Sequence, residues 1–107
     1  MTAAKKPEKR RGAAKPAGRD PVVLRLSGAF EGWEATVRVD FPARVLEELN
    51  SGENGRVCRA FDRIMVTHNM PDAEGNVADS LLDVEPLDFI GPLIEALGVA
   101  LEALPPR

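Results

Sequence analysis

Two residues in the middle of the chain, Cys58 and His68, have side chains that act as nucleophile and base in many enzymes. They are the only cysteine and the only histidine in the sequence. On a continuous helix, a separation of ten residues places them near one stripe but roughly 15 Å apart along the axis. A thiol and an imidazole at that distance do not form a nucleophile–base pair. The spacing therefore argues against cysteine catalysis.

The polar residues that follow His68 raise the question of a metal site. One histidine with Asn69, Asp72 and Glu74 is a smaller ligand set than zinc uses, and the spacing does not match a calcium-binding loop. We interpret His68 as lying near the negative pole of a helix end, and Asp72 as closing a turn through its side chain. The sequence also has no phosphate-binding glycine loop and no nucleophile elbow. It predicts a non-enzymatic protein without metal or cofactor.

The segment 56–70 must position these side chains, and its apolar residues recur at helical spacing. Pro71 cannot continue a helix, and the following Asp72–Gly75 has the composition of a turn. The sequence therefore predicts an amphipathic helix that runs to a sharp reversal. Its buried stripe would comprise Val57, Cys58, Phe61, Ile64, Met65 and His68.

Two segments near the N-terminus alternate apolar and polar residues as strands do. Residues 22–27 carry apolar side chains at every second position, and residues 33–41 alternate strictly from Trp33 to Phe41. Together they predict a β-hairpin. Because a lone hairpin is marginal in water, it must pack on helices or pair an edge with another copy. We expect Trp33 to anchor that packing.

The first helix is predicted between the hairpin and the amphipathic helix. Asp40 is the candidate N-cap, Pro42 suits the first turn, and the segment 50–52 ends the helix. The short connection that follows favours antiparallel packing on the second helix.

The third helix is predicted near the C-terminus, where Pro92 would kink or restart it. Its seam is either part of the core or wider than so small a domain can cover, which would leave surface for a partner. The small residues Ala96, Gly98 and Ala100 would let another backbone approach closely. The seam, spaced 3-4-3-4-3, comprises Leu87, Ile90, Ile94, Leu97, Leu101 and Leu104.

Charge divides the 107 residues into two parts. Residues 1–20 hold seven basic side chains against two acidic ones, whereas residues 21–107 hold seven arginines against fifteen carboxylates. The first part has almost no large apolar residue, so we predict a disordered basic arm over 1–20. For 21–107 we predict a single α+β domain, an N-terminal β-hairpin packed on about three α-helices. The sequence has no apolar run long enough to span a membrane.

The helix-and-turn segment resembles a part of the small tail assembly chaperones of long-tailed bacteriophages. In that family the segment often reads I-V-x-W-N-x-x-D-x-x-G. The corresponding residues here are Ile64, Val66, His68, Asn69, Asp72 and Gly75, with histidine where tryptophan is common. The resemblance covers roughly residues 21–104 as a pattern with few fixed residues.

The resemblance implies a protein that shields a very long tape-measure protein until tail-tube subunits replace it. Such chaperones act in the host cytoplasm and are absent from the mature virion. The partners would be the tape-measure protein and tail-tube subunits, with a homo-oligomer also open. We expect the partner surface on the second and third helices, at Phe61, Met65, Leu93, Leu97 and Leu101.

Two other functions stay open from sequence. The basic arm is compatible with a small nucleic-acid-associated protein, although the acidic body argues against nucleic acid as the partner. A structural neck or tail component would share the phage setting. Neither alternative requires an enzyme active site.

Overall fold

The computed structural model describes residues 19–105, so nearly all of the predicted basic arm lies outside the described residues. The chain has an α+β fold, as predicted, with a three-stranded antiparallel sheet in the order β1-β2-β3. The strands are β1 (Val22–Arg25), β2 (Glu34–Val37) and β3 (Met65–His68). The helices are α1 (Ala43–Leu49), α2 (Asn54–Ile64) and α3 (Ile90–Ala103).

The predicted N-terminal hairpin is present and supplies two of the three strands of the sheet. Leu24 pairs with Ala35 and Val22 pairs with Val37, so alternate residues of both strands point into the core. A short 3₁₀ turn at Gly28–Phe30 lies within the connection between the strands. The second strand ends at Val37, whereas the alternation of apolar and polar residues predicted a strand up to Phe41.

Trp33 joins the hairpin to the C-terminal part of the domain. Its ring centroid lies 4.8 Å from that of Phe30 and 6.4 Å from that of Phe89. Both ring pairs are tilted, as is favourable for aromatic side chains. Trp33 is half-buried against the core, in agreement with its predicted role as an anchor.

The second helix ends at Ile64, seven residues before Pro71, and this corrects the predicted helix over 56–70. Helix α2 stops at Ile64, and Met65 is already extended, with φ −73° and ψ 130°. Arg38 holds this end in place. Its backbone N–H donates to the Ile64 carbonyl at 2.8 Å, and its guanidinium donates to the Arg63 carbonyl. These two bonds pair carbonyls that the end of a helix otherwise leaves without partners.

The residues after α2 form the third strand instead of another helical turn. Thr67 lies opposite Thr36, whereas Met65 lies opposite Val37, so Val66 is an extra residue on β3. This is a β-bulge, and the side chain of Val66 is 54% exposed. Val66 and Thr67 are β-branched and favour strands, and β2 offers them an edge to pair with. Pairing with a distant strand therefore overrides the local helical period.

The first helix begins two residues later than the predicted cap implies. Pro42 occupies the N-cap position, and Asp40 is not the cap as predicted. Its carboxylate instead accepts the backbone N–H of Arg19. Val45 and Leu49 face the core, and α1 packs on α2 as expected for a short connection.

The buried face of the third helix differs from the predicted seam. Ile90, Leu93 and Leu97 are buried, whereas Leu87 precedes the helix in a 3₁₀ turn and is 57% exposed. Pro92 lies in the first turn of α3, where its missing N–H breaks no intrahelical bond. The helix packs along β1, so Leu24 and Leu26 lie beneath it.

The core lies between the inner face of the sheet and the three helices. Its largest fully buried side chains include Phe61, Phe89, Ile64, Met70 and Leu93. Within residues 19–105, none of the helices combines the length and the apolar character that crossing a bilayer requires.

Candidate functional site

The segment that carries the resemblance to tail assembly chaperones folds as a strand followed by a tight reversal. Asn69 joins it to the start of β2. Its side-chain oxygen accepts the Glu34 N–H at 2.8 Å, and its side-chain amide donates to the Gly32 carbonyl at 2.9 Å. The Asn69 N–H also donates to the Glu34 carbonyl at 3.2 Å. Asn69 therefore extends the β2–β3 ladder beyond the last strand residue.

Asp72 and Gly75 shape the reversal that follows. One oxygen of Asp72 accepts the N–H groups of Glu74 at 2.9 Å and Asn76 at 3.0 Å. Gly75 has φ +86°, a conformation that other residues rarely adopt. The predicted role of Asp72 in closing the turn is confirmed. Pro71 pairs with Val77 in an isolated bridge, so this segment is a small hairpin.

His68 is the last residue of β3, which corrects its predicted place at a helix end. Its Nδ1 accepts the backbone N–H of Met70 at 3.0 Å, and the side chain is half-buried. An imidazole that accepts through Nδ1 carries its proton on Nε2. His68 therefore helps to set the chain direction between β3 and the reversal.

Cys58 is buried in α2 and has the character of a core residue. Burial raises the pKa of its thiol, and the nearby Asp62 carboxylate raises it further, while Arg59 acts in the opposite direction. A thiol held protonated is a poor nucleophile and a poor metal ligand. In residues 19–105 there is no group of three or more histidine, cysteine, aspartate or glutamate side chains arranged to hold a metal ion.

Asp62 links α2 to the segment that precedes α3. One of its carboxylate oxygens accepts the Ser80 hydroxyl, and the other accepts the Leu81 N–H at 2.9 Å. Ser80 in turn accepts the Leu82 N–H at 3.1 Å and so caps the 3₁₀ turn Leu81–Asp83. The 3₁₀ turn is thus attached to α2 through Asp62. Its dependence on a carboxylate 18 residues earlier in the chain could not be predicted from spacing.

The five residues expected to contact a partner divide into two groups. Phe61, Leu93 and Leu97 are 1%, 0% and 4% exposed, so in this fold they are buried in the core. This corrects their expected place on a partner surface, since a buried side chain is reachable only if the domain opens. Met65 and Leu101 are half-buried and pack at the margin of the core, so their partner role stays a prediction.

Met65 and Leu101 lie at the same end of the domain. Met65 is opposite Val37, which is opposite Val22, so these three residues form a row across the sheet. The start of α3 is close to Trp33, and the helix then runs along β1, so Leu101 lies towards the start of β1. We call Val22, Met65 and Leu101, all half-buried, the end patch.

A second apolar surface lies between β1 and α3. It is an open groove of about 470 Å³ whose β1 side runs along residues 23–27. Its α3 side presents Pro92, Ala96, Val99 and Ala100, with Glu95 as the one carboxylate. Val99 is 63% exposed, and Val23 across the groove is 41% exposed. The α3 wall includes two of the small residues, Ala96 and Ala100, that the sequence suggested for close backbone approach.

A third surface is strongly acidic and lies beside the reversal. It forms a shallow depression between the hairpin of residues 71–77 and the turn Leu81–Asp83. Its lining residues are Asp72, Ala73, Glu74, Asp79, Leu82, Asp83 and Glu85. The five carboxylates repel anionic partners and keep this side of the domain solvated.

We expect Asn69→Ala to lower the free energy of unfolding by about 1–2 kcal/mol, because it leaves the Glu34 N–H and the Gly32 carbonyl without their partners. Chemical denaturation with near-ultraviolet dichroism measures the change. Asn76→Ala is the matched control, since the exposed Asn76 takes part in the reversal through its backbone. Equal stability of the Asn69 variant and the wild type would contradict a bridging role.

The described residues thus combine a polar strand-to-turn segment, two apolar surfaces and an acidic one. Comparison with known proteins adds no assignment to this geometry: no family model, no curated protein and no solved structure matches the chain.

Proposed function

We propose that this chain is a tail assembly chaperone that shields apolar helical stretches of a phage tape-measure protein. The observation that carries the proposal is the resemblance of the segment from Ile64 to Gly75 to that family. In the fold, this segment is a continuous strand and reversal whose polar residues have structural partners. The segment therefore has a structural role, and we expect the client to contact the apolar surface around it.

The end patch is the client surface that we favour. Its side chains are half-buried, so each has apolar area left to cover without opening the core. Shielding by a chaperone must be reversible, and a few partly exposed apolar contacts give a faster release than one deep pocket. The acidic body, with fifteen carboxylates in residues 21–107, keeps a coated client apart from other copies by like-charge repulsion.

Co-expression with a tape-measure segment tests the proposal. The measured quantities are the amount of client in the soluble fraction and the amount that co-purifies with the full chain. We expect the wild type to keep the client soluble. A client that precipitates equally with and without this chain overturns the proposal.

The end patch has its own variant test. We expect Met65→Gln with Leu101→Gln to weaken client binding by about tenfold, because loss of roughly 1.4 kcal/mol of apolar burial changes an affinity by that factor. Leu87→Gln is the control, since Leu87 is 57% exposed and lies near the opposite end of α3. Circular dichroism checks that each variant is folded. Unchanged binding by the double variant would move the client surface elsewhere.

Deletion of residues 1–20 separates chaperoning from nucleic-acid binding. The deleted segment holds every lysine of the chain, whereas the remaining body has an excess of carboxylates. Under our proposal the shortened chain still keeps the client soluble. A loss of client solubility together with a steeply salt-dependent DNA affinity of the full chain would favour the nucleic-acid alternative. Recovery of the protein in purified virions would favour a structural component.

A further inference from the structure

The two edges of the sheet differ in their capacity to pair with another strand. β3 carries the bulge at Val66, which disrupts regular pairing along that edge. β1 pairs with β2 in uninterrupted register from Val22 to Arg25. Among residues 19–105, the sheet contains no strand beyond β1. Within the part of the chain that the structure describes, the outer edge of β1 is therefore the regular edge without a strand partner.

The backbone groups of β1 alternate in direction. The Leu26 N–H donates to the Trp33 carbonyl at 3.0 Å, so Leu26, Leu24 and Val22 point their peptide groups towards β2. Val23 and Arg25 consequently point their N–H and carbonyl groups away from β2. They point to the side of β1 where the groove with α3 is open.

We propose that a second copy of this chain occupies the groove, with the two β1 strands pairing antiparallel about a two-fold axis into one six-stranded sheet. Such an interface is isologous, since each copy offers the same strand and the same helix wall. The peptide groups of Val23 and Arg25 pair with those of the other copy. This inference does not depend on the identity of the client.

Charge and proline select one register for the pairing. Placing Arg25 opposite Arg25 of the second copy sets like charges directly against each other. Placing Val23 opposite Val23 of the second copy sets Arg25 opposite Pro21, which has no N–H to donate. The remaining register places Val23 opposite Arg25 and Leu24 opposite Leu24 of the second copy.

The α3 wall of the groove suits a close approach of the second copy. Both α3 helices would lie on the same face of the joined sheet, on either side of the two-fold axis. The surface that α3 presents to the groove is mostly small or apolar, so the two helices can pack closely across the axis. The pairing would cover Val99 and Val23, which are 63% and 41% exposed in the single chain. A second copy of the chain can thus pair with the outer edge of β1 and pack against the groove-facing side of α3.

Sedimentation equilibrium of the full chain from low to high micromolar concentration tests the proposal. We expect the mass to rise from monomer to dimer. Amide hydrogen exchange should show protection of Val23 and Arg25 that increases with concentration, while Leu24 and Leu26 are protected at every concentration. A monomer throughout the range, or exchange at Val23 and Arg25 that ignores concentration, overturns the proposal.

Two groove variants and one control sharpen the test. We expect Val99→Glu to raise the dimer dissociation constant by about tenfold or more, because it sets two carboxylates near each other across the axis. Val23→Pro removes an outward N–H while leaving the ladder to β2 intact, and should weaken the dimer similarly. Val77→Glu is the control, since Val77 is 57% exposed and lies on the hairpin after β3. An equal effect of the control overturns the groove as the interface.

Addition of a client separates this inference from the chaperone proposal. Protection of Val23 and Arg25 that appears only with a client would assign the groove to the client and overturn pairing of two copies. A monomer that keeps a client soluble overturns the dimer and leaves the chaperone proposal standing. A dimer that keeps no client soluble supports the pairing of two copies and overturns the chaperone proposal.

Discussion

Phe61→Ala is expected to lower the free energy of unfolding by about 3–5 kcal/mol. Phe61 is 1% exposed and belongs to the central cluster between α2 and the sheet, so its loss opens a cavity that the neighbouring side chains cannot fill. For a small domain this is a large share of the total stability. Urea denaturation followed by far-ultraviolet dichroism measures the change.

The control for Phe61 is the same substitution at Phe41. Phe41 is half-buried at the margin of the core, so Phe41→Ala should cost less than half as much. The comparison also tests the former expectation that Phe61 contacts a partner. A Phe61→Ala variant with wild-type stability and lost client binding would show that the core assignment is wrong.

Asp62→Ala is expected to lower the free energy of unfolding by about 2–3 kcal/mol. The substitution removes two hydrogen bonds to a carboxylate, one from the Ser80 hydroxyl and one from the Leu81 N–H. The 3₁₀ turn that these groups begin loses its attachment to α2. Hydrogen exchange should rise first at Leu81 and Leu82, before global unfolding is reached.

Cys58 supplies a second measurement on the same variant. The Asp62 carboxylate helps to hold the pKa of the Cys58 thiol above its ordinary value, so Asp62→Ala should lower that pKa. Thiol titration in the folded protein detects the change. Asp79→Ala is the control, because Asp79 is an exposed carboxylate in the same segment. If both variants titrate and unfold alike, Asp62 has no special role.

Short-range periodicity was sufficient to predict the hairpin and the buried face of α2. Leu24, Ala35 and Val37 are buried as alternation requires, and Val57, Phe61 and Ile64 are buried as the helical period requires. Both patterns involve residues close in sequence, and the spacing of their apolar members indicates directly which face of the strand or helix is buried. The α+β class follows from them.

The end of α2 could not be predicted in this way, because a residue far from it in the sequence determines it. Arg38 pairs the last carbonyls of α2 through its backbone and its guanidinium. Asn69 then fixes the other end of β3 to β2. The β-branched residues Val66 and Thr67 locally favour a strand. The helical prediction instead followed the apolar stripe, which continues at helical spacing to His68.

Three of the expected partner residues, Phe61, Leu93 and Leu97, were placed on the surface for a related reason. Leucine spacing identified α3 as amphipathic but not which of its faces meets the sheet. Contact with β1 and α2 buries Ile90, Leu93 and Leu97, which leaves Val99 and the small residues beside it on the surface. An open strand edge next to a helix wall is a property of tertiary packing, so the groove has no signature in the spacing of residues.

The bulge at Val66 has a consequence for changes in chain length. Helix α2 passes into β3 without a loop, and Val66 is the residue of β3 that has no partner on β2. Deletion of Val66 would place Thr67 directly after Met65, so the pairing with Thr36 and Val37 would continue in regular register and Asn69 would stay beside Glu34. Deletion of a paired residue such as Thr67 would instead shift the register of the residues that follow it. A single-residue gap among homologous sequences is therefore best placed at Val66.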